Sequence, residues 1–263
     1  MSEFTLPSII DLYALLPSKL DDLYNTLKSL KDCFKGIVLV SDIFPTVFLS
    51  NLLHNVVPLF GSLVLNESIG GFNLKALQHA LELGARLIVM PTIDAWNYRH
   101  RMGLSGGLSI YTTKGELLGE VDTMISYIKE HNAILATGYL SFGEVEALVR
   151  EANAIGLKSI IVSDVVSDVN LMTIKQQRRL IDLGAFLEYR ISSLSSNERL
   201  RILRRAVKEL DVDYIVVSSG IPLDKNYPAI WTTFIKKLSS IGLKDEIVEM
   251  LVFTNPSRLV GLR

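Results

Sequence analysis

The chain has 263 residues with 27 basic and 28 acidic side chains, four histidines and one cysteine, and the single Cys33 excludes an internal disulfide framework or a thiolate metal cluster. A net charge of −1 gives no basic footprint for nucleic acid, and a reduced, cytoplasmic setting is expected. The 49% hydrophobic content fills a large core, but the longest apolar run, Val56 to Leu65, is far short of the roughly 18 residues of a membrane span, and Met1-Ser2-Glu3-Phe4 lacks the basic start of a signal peptide.

In chain order, short β-branched runs recur, each followed by a longer stretch with helical spacing, as parallel α/β folds require. The runs are Ile9 to Tyr13, Ile37 to Val40, Ser62 to Leu65, Leu87 to Met90, Ile134 to Thr137, Ser159 to Val162, Phe186 to Tyr189, and Tyr214 to Ser218. Several units end a helix at glycine before the next strand, as in Leu83-Gly84-Ala85-Arg86-Leu87, Ile155-Gly156-Leu157-Lys158-Ser159 and Leu183-Gly184-Ala185-Phe186. Glycine there supplies the left-handed residue that terminates a helix. Between the fourth and fifth strands the interval Pro91 to Val121 is long and carries Asp94, Trp96, Tyr98 and His100 before Gly103-Leu104-Ser105-Gly106-Gly107. Such a loop reads as a lid or pocket wall, or equally as a surface excursion or oligomer contact. An eighth helix near Tyr227 to Ile241 precedes an extra amphipathic helix from Asp245 to Val252. This alternation predicts an α/β fold, a single (β/α)8 TIM barrel over residues 1–263 with an extra C-terminal helix. A doubly wound open sheet fits the even count and regular spacing less well.

In such a barrel the working groups leave the C-terminal ends of the strands. The candidates are Asp11 and Tyr13, Ser41 and Asp42, Asn66, Thr92 and Asp94, Thr137 and Tyr139, Ser163 and Asp164, Glu188 and Tyr189, and Ser218 and Ser219. Polar residues at every strand exit favour a pocket, although Asp, Asn and Ser also cap helices and start turns. His54 and His79 fall within predicted helices and His131 precedes the fifth strand, so only His100 can reach the mouth. A hydrolytic zinc site needs several imidazoles, which one such histidine does not supply. No strand ends in lysine for a Schiff base, no Gly-x-Ser-x-Gly elbow is present, and Cys33 lies below the second strand. The carboxylates Asp11, Asp42, Asp164 and Glu188 are left as general acid and base groups or, as the minor alternative, ligands of an oxygen-bound divalent metal. Otherwise no cofactor is expected.

Leu65-Asn66-Glu67-Ser68-Ile69-Gly70-Gly71-Phe72-Asn73, followed by the stretch from Gly84 through Pro91-Thr92-Ile93-Asp94-Ala95, resembles a subgroup of amidohydrolase-superfamily barrels. Ala133 to Gly138, Glu144, Glu151-Ala152 and Asn255-Pro256-Ser257-Arg258-Leu259-Val260-Gly261-Leu262 extend the resemblance along nearly the whole chain. Members with a working metal site begin with Asp-x-His-x-His, where this chain reads Asp11-Leu12-Tyr13-Ala14-Leu15. The family's later histidines fall on Tyr139 and Asp164, and its aspartate falls on Gly220. The resemblance therefore implies a hydrolase fold whose metal ligands have been replaced. Two functions are expected from it: a barrel that keeps a polar pocket for a small molecule in a binding, regulatory or assembly role, or a hydrolase of small amides, esters or lactones with a carboxylate-based or metal-free site. Association of the chain with itself through the extra helix is a further expectation.

Overall fold

A computed structural model describes residues 8–262; the reading of Met1 to Phe4 lies outside them. Its elements run β1 (Ile9–Leu15), α1 (Leu23–Leu30), β2 (Phe34–Val40), α2 (Val47–Leu53), β3 (Leu59–Phe60), β4 (Ser62–Val64), α3 (Leu74–Glu82), β5 (Leu87–Val89) and α4 (Trp96–Arg101). There follow α5 (Gly119–Glu130), β6 (Ile134–Ala136), α6 (Phe142–Ile155), β7 (Ile160–Val162), α7 (Ile174–Asp182), β8 (Phe186–Arg190) and α8 (Asn197–Glu209). The chain ends with β9 (Ile215–Ser218), α9 (Tyr227–Ser240), α10 (Asp245–Glu249) and α11 (Asn255–Val260). All the named strand pairs are parallel, in the orders β1-β2-β3 and β4-β5-β6-β7-β8-β9.

Each expected strand is found, and the third, β4, is preceded by a two-residue strand, β3, from which Gly61 separates it. The cause is Thr46, at the start of α2, whose hydroxyl donates to Leu39 O (2.6 Å) and accepts from Ser62 N (2.9 Å), so that it stands between β2 and β4. A Cβ on Gly61 would lie 2.3 Å from Val47 Cα, so only glycine lets the helix approach so closely. The ring is joined on its other side by backbone bonds from Gly220 N to Tyr13 O (2.8 Å) and from Leu15 N to Ile221 O (2.9 Å).

Alternation along the strands divides the apolar residues into two cores, as in a barrel. Ile10, Leu12, Val38, Val40, Val64, Val89, Ile134, Ile161, Phe186 and Val216 fill the inside, and Leu259 and Val260 of α11 join them. Ile9, Ile37, Leu39, Ile88, Leu135, Val162, Leu187 and Val217 pack outward on the helices.

Two expectations change in detail. The interval from Pro91 to Val121 is an ordered excursion: α4 is held by Trp96 N to Leu108 O (2.8 Å) and Leu108 N to Asp94 O (2.7 Å), and Tyr111 bridges Leu117. The expected helix Asp245 to Val252 is shorter as α10 and passes through a wide π turn, Met250–Thr254, into α11. No helix of the described residues is long and apolar enough to cross a membrane.

Candidate functional site

The C-terminal ends of β1, β2, β4, β5, β6, β7, β8 and β9 form one face, and the side chain at its centre is Arg190. Along β8, Phe186, Glu188 and Arg190 point inward, while Tyr189 turns out to donate to Gln177 Oε1 of α7 (2.5 Å). The Arg190 side chain is 3% exposed. Its Nε donates to Glu188 Oε2 at 2.8 Å. Nη2 lies equally near that oxygen, at 2.8 Å, but without hydrogen-bond geometry, and so is buried with no hydrogen-bonding partner among the described residues. The guanidinium carbon sits 3.4 Å from the centre of the Tyr13 ring, a cation–π contact shielded from water.

Two carboxylates complete this cluster. Glu188 Oε1 accepts from Ser218 Oγ (2.5 Å), and Oε2 also accepts from Asp164 N (3.3 Å). Asp164 Oδ2 accepts from Ser193 Oγ (2.5 Å), and Oδ1 from Arg190 N (3.4 Å). Asp164 has φ +40°, a conformation rare outside glycine. Gly220 has φ +62°, and a Cβ there would lie 2.5 Å from Ser192 Oγ and 2.9 Å from Arg190 Cδ; the space of that missing side chain is taken by Ser192 and Arg190.

Charge sets the proton equilibria. Burial opposes ionisation of Arg190, but Glu188, Tyr13, Tyr139 and Asp164 outweigh it and raise its pKa, so it is a permanent cation. Burial pushes Asp164 up to about 6, against the lowering effect of Arg190 and Ser193. The phenols of Tyr13 and Tyr139 are likewise raised by burial, with Arg190 opposing and the nearby carboxylates adding, so both stay protonated. Tyr139 stacks on Tyr98 of α4 (ring centres 5.5 Å apart), and Asn97 donates to Tyr139 O (3.0 Å), so α4 leans on one side of the mouth.

The other expected residues divide into scaffolding of the mouth and groups elsewhere. Asp42 Oδ1 accepts from Thr92 Oγ1 (2.6 Å), and Asn66 joins the two by donating to Asp42 O (3.0 Å) and Thr92 Oγ1 (2.8 Å). Asp94 accepts from Glu67 N (2.9 Å) and faces Arg99 (3.6 Å), which fixes the loop above β4. Ser219 N donates to Asp11 Oδ1 (2.9 Å) and its hydroxyl to Tyr13 O (3.1 Å). Asp11 does not join the cluster: it is fully buried, also takes the hydroxyl of Tyr227 from α9, and is raised in pKa by burial against these hydrogen bonds. His100 is exposed and stacks on Trp96 (4.9 Å), outside the Arg190 network. His54 lies just past α2, His79 is exposed on α3, and His131 is exposed after α5.

Arg190 and Ser193 are absent from the sequence-level candidates, and Asn97 and Tyr98 enter there only as part of the long interval read as a lid or pocket wall. Arg190 carried a signal: it is two residues beyond Glu188 on one strand and so shares its face. Nothing local marks Ser193, which reaches Asp164 only through the fold.

A model of a family of unknown function, DUF6282, matches residues 10–188. The chain belongs to that family. No curated protein matches it. Among solved structures it is similar to an amidohydrolase from Pseudomonas aeruginosa, at 11% identity over 97% of this chain and 95% of that one, with a TM-score of 0.69. A metallopeptidase, dipeptidase AC of family M19, aligns at 13% identity over 97% and 98% with a TM-score of 0.65. A 2-pyrone-4,6-dicarboxylic acid hydrolase from Pseudomonas putida, so titled as putative, aligns at 15% identity over 98% and 99% with a TM-score of 0.61. These likenesses show the fold, a TIM barrel, and at such identities nothing beyond it.

The resemblance to amidohydrolases implies a divalent metal at the strand ends, and the residues present do not fit one. Leu15 offers no donor and Gly220 no side chain, Tyr13 and Tyr139 are neutral phenols, and a fixed guanidinium stands among them. Among the described residues no three His, Cys, Asp or Glu side chains group so as to hold an ion; Asp11 is taken up by Ser219 and Tyr227, and Asp42 by Thr92.

Proposed function

We propose that this barrel binds a small molecule at its C-terminal face and does not carry out metal-dependent hydrolysis. One observation carries the reading: the Arg190 guanidinium, paired with Glu188 and laid on Tyr13, holds the place on which Tyr13, Tyr139, Asp164 and Gly220 converge. A divalent ion at that point would meet a buried positive charge, and in a low-dielectric interior such repulsion is worth several kcal/mol. Titration of metal-stripped protein with zinc, manganese and iron, followed by calorimetry, is expected to show no stoichiometric binding. An ion held at the strand ends with about one equivalent per chain would overturn the reading.

A second reading rests on Asp164. A carboxyl pushed up to about 6 is poised to take and return a proton near neutral pH, as a metal-free hydrolase of an amide, ester or lactone would need. A screen over those substrates that gives a turnover lost in Asp164→Asn would favour it; equal rates in wild type and variant would dismiss it.

A further inference from the structure

A cavity of about 600 Å3 opens on the C-terminal face away from the barrel axis, between the segments that leave β1, β2 and β9. Its size lies within the roughly 300–1,000 Å3 of small-molecule sites. Leu15, Leu16, Leu23, Val40 and Leu223 give it an apolar lining.

The charges around it are unevenly placed. Lys19, Asp21, Asp22 and Lys225 are exposed and mixed in sign, so water and one another screen them. Asp224, also at this edge, is engaged by Asn226 N (2.8 Å). Asp42 is different: it is partly buried on the side toward the barrel mouth, where its charge reaches Tyr13 and Tyr139. Thr92, Asn66 and Ser68 fix it, the last by Ser68 Oγ to Asp42 O (3.3 Å). Among the described residues no lysine, arginine or histidine forms an ion pair with it. A carboxylate held in place by Thr92 and without a cation, on the wall of an apolar-lined cavity, is complementary to an ammonium group carried on an apolar body.

We infer that this cavity is the seat of an organic amine, its ammonium group on Asp42 and its apolar chain along Leu15, Leu16, Leu23 and Val40. The inference rests on the small-molecule reading above and names the ligand chemistry of that face. Calorimetry on the full chain with hexylammonium, hexanol and hexanoate tests it. Hexylammonium is expected to bind one to one, hexanol about tenfold more weakly because it lacks the charge-assisted bond, and hexanoate not at all. Asp42→Asn keeps an acceptor for Thr92 and is expected to weaken hexylammonium about tenfold with an unchanged melting temperature, while Asp21→Asn at the rim leaves binding as it was. Leu16→Trp, which fills the apolar chamber, is expected to abolish binding and carries the test if Asp42→Asn does not fold. Hexanoate or hexanol binding as tightly as the amine, unchanged affinity in Asp42→Asn, or no amine binding at millimolar concentration would each overturn the inference. The metal titration is independent of these outcomes, so a barrel that binds neither metal nor amine loses this inference alone.

Discussion

At the scale of single residues, Arg190 and Glu188 decide the character of the strand ends. A buried ion pair is a weak source of net stability, yet loss of one partner leaves an uncompensated charge and costs about 3–5 kcal/mol. Arg190→Met is therefore expected to destabilise the barrel by about that amount, and Arg190→Met with Glu188→Leu by clearly less than the sum of the two single changes. Urea unfolding of the four proteins measures this coupling; additive effects would mean that the pair does not act as a unit. Asp164 makes a second prediction. In the folded chain it keeps its proton up to about 6, against an ordinary 3.8, so folding takes up a proton between those values. Stability contributed by the protonated form is full below about 4 and is lost as pH rises through about 6, a difference of about 3 kcal/mol. Asp11 shifts in the same direction, so the comparison must be with Asp164→Asn, whose unfolding midpoints between pH 4 and 7 are expected to be flatter than those of the wild type. Glu188 was legible as a strand-exit acid, but an arginine two residues on looks like a surface residue. The inward alternation of β8 and the room that Gly220 leaves beside it make it central.

At the scale of elements, the strands were readable because β-branched runs at regular intervals leave few alternatives, whereas α4 was not. Its six residues, Trp96–Arg101, are too few to stand alone as a helix, and it exists because distant groups hold its flanks. The chief of these is Glu144, 3% exposed at the start of α6. It closes a capping box with Ser141 and also accepts from Ser109 Oγ (2.6 Å) and Ile110 N (3.2 Å), so one carboxylate ties the helix to the excursion. Glu144→Ala would remove the cap, worth about 1 kcal/mol, and leave Ile110 N buried without its acceptor, about 1–3 kcal/mol more. The expected result is a loss of about 2–4 kcal/mol in chemical unfolding together with faster proteolysis between Gly103 and Leu118. Protection of that segment equal to the wild type would show that Leu108 and Tyr111 hold it unaided.

At the scale of the whole molecule, the ending Asn255-Pro256-Ser257-Arg258-Leu259 resembles that of amidohydrolases in sequence, and the fold supplies a physical reason for it. Asn255 Nδ2 donates to Val212 O and Ile215 O, both at 2.8 Å, at the entry to β9. That anchor points α11 at the lower end of the barrel. Leu259 and Val260, 4% and 2% exposed, then close the inner core against residues such as Ile10, Val38 and Val216. A barrel interior is filled in layers, and its lowest layer has water beneath it unless something covers it, so the last helix acts as a stopper. From the sequence this segment reads only as a motif that carries the resemblance, because the surface it covers is assembled from strands far apart in the chain. Leu259→Ala is expected to cost about 2–5 kcal/mol, the transfer term plus the cavity left behind, and to speed amide exchange at Ile10, Val38 and Val216 more than at the outward Leu135 and Val162. If exchange rose equally on both faces of the sheet, the change would report only global destabilisation, and α11 would be one more packed helix, not the seal of the inner core.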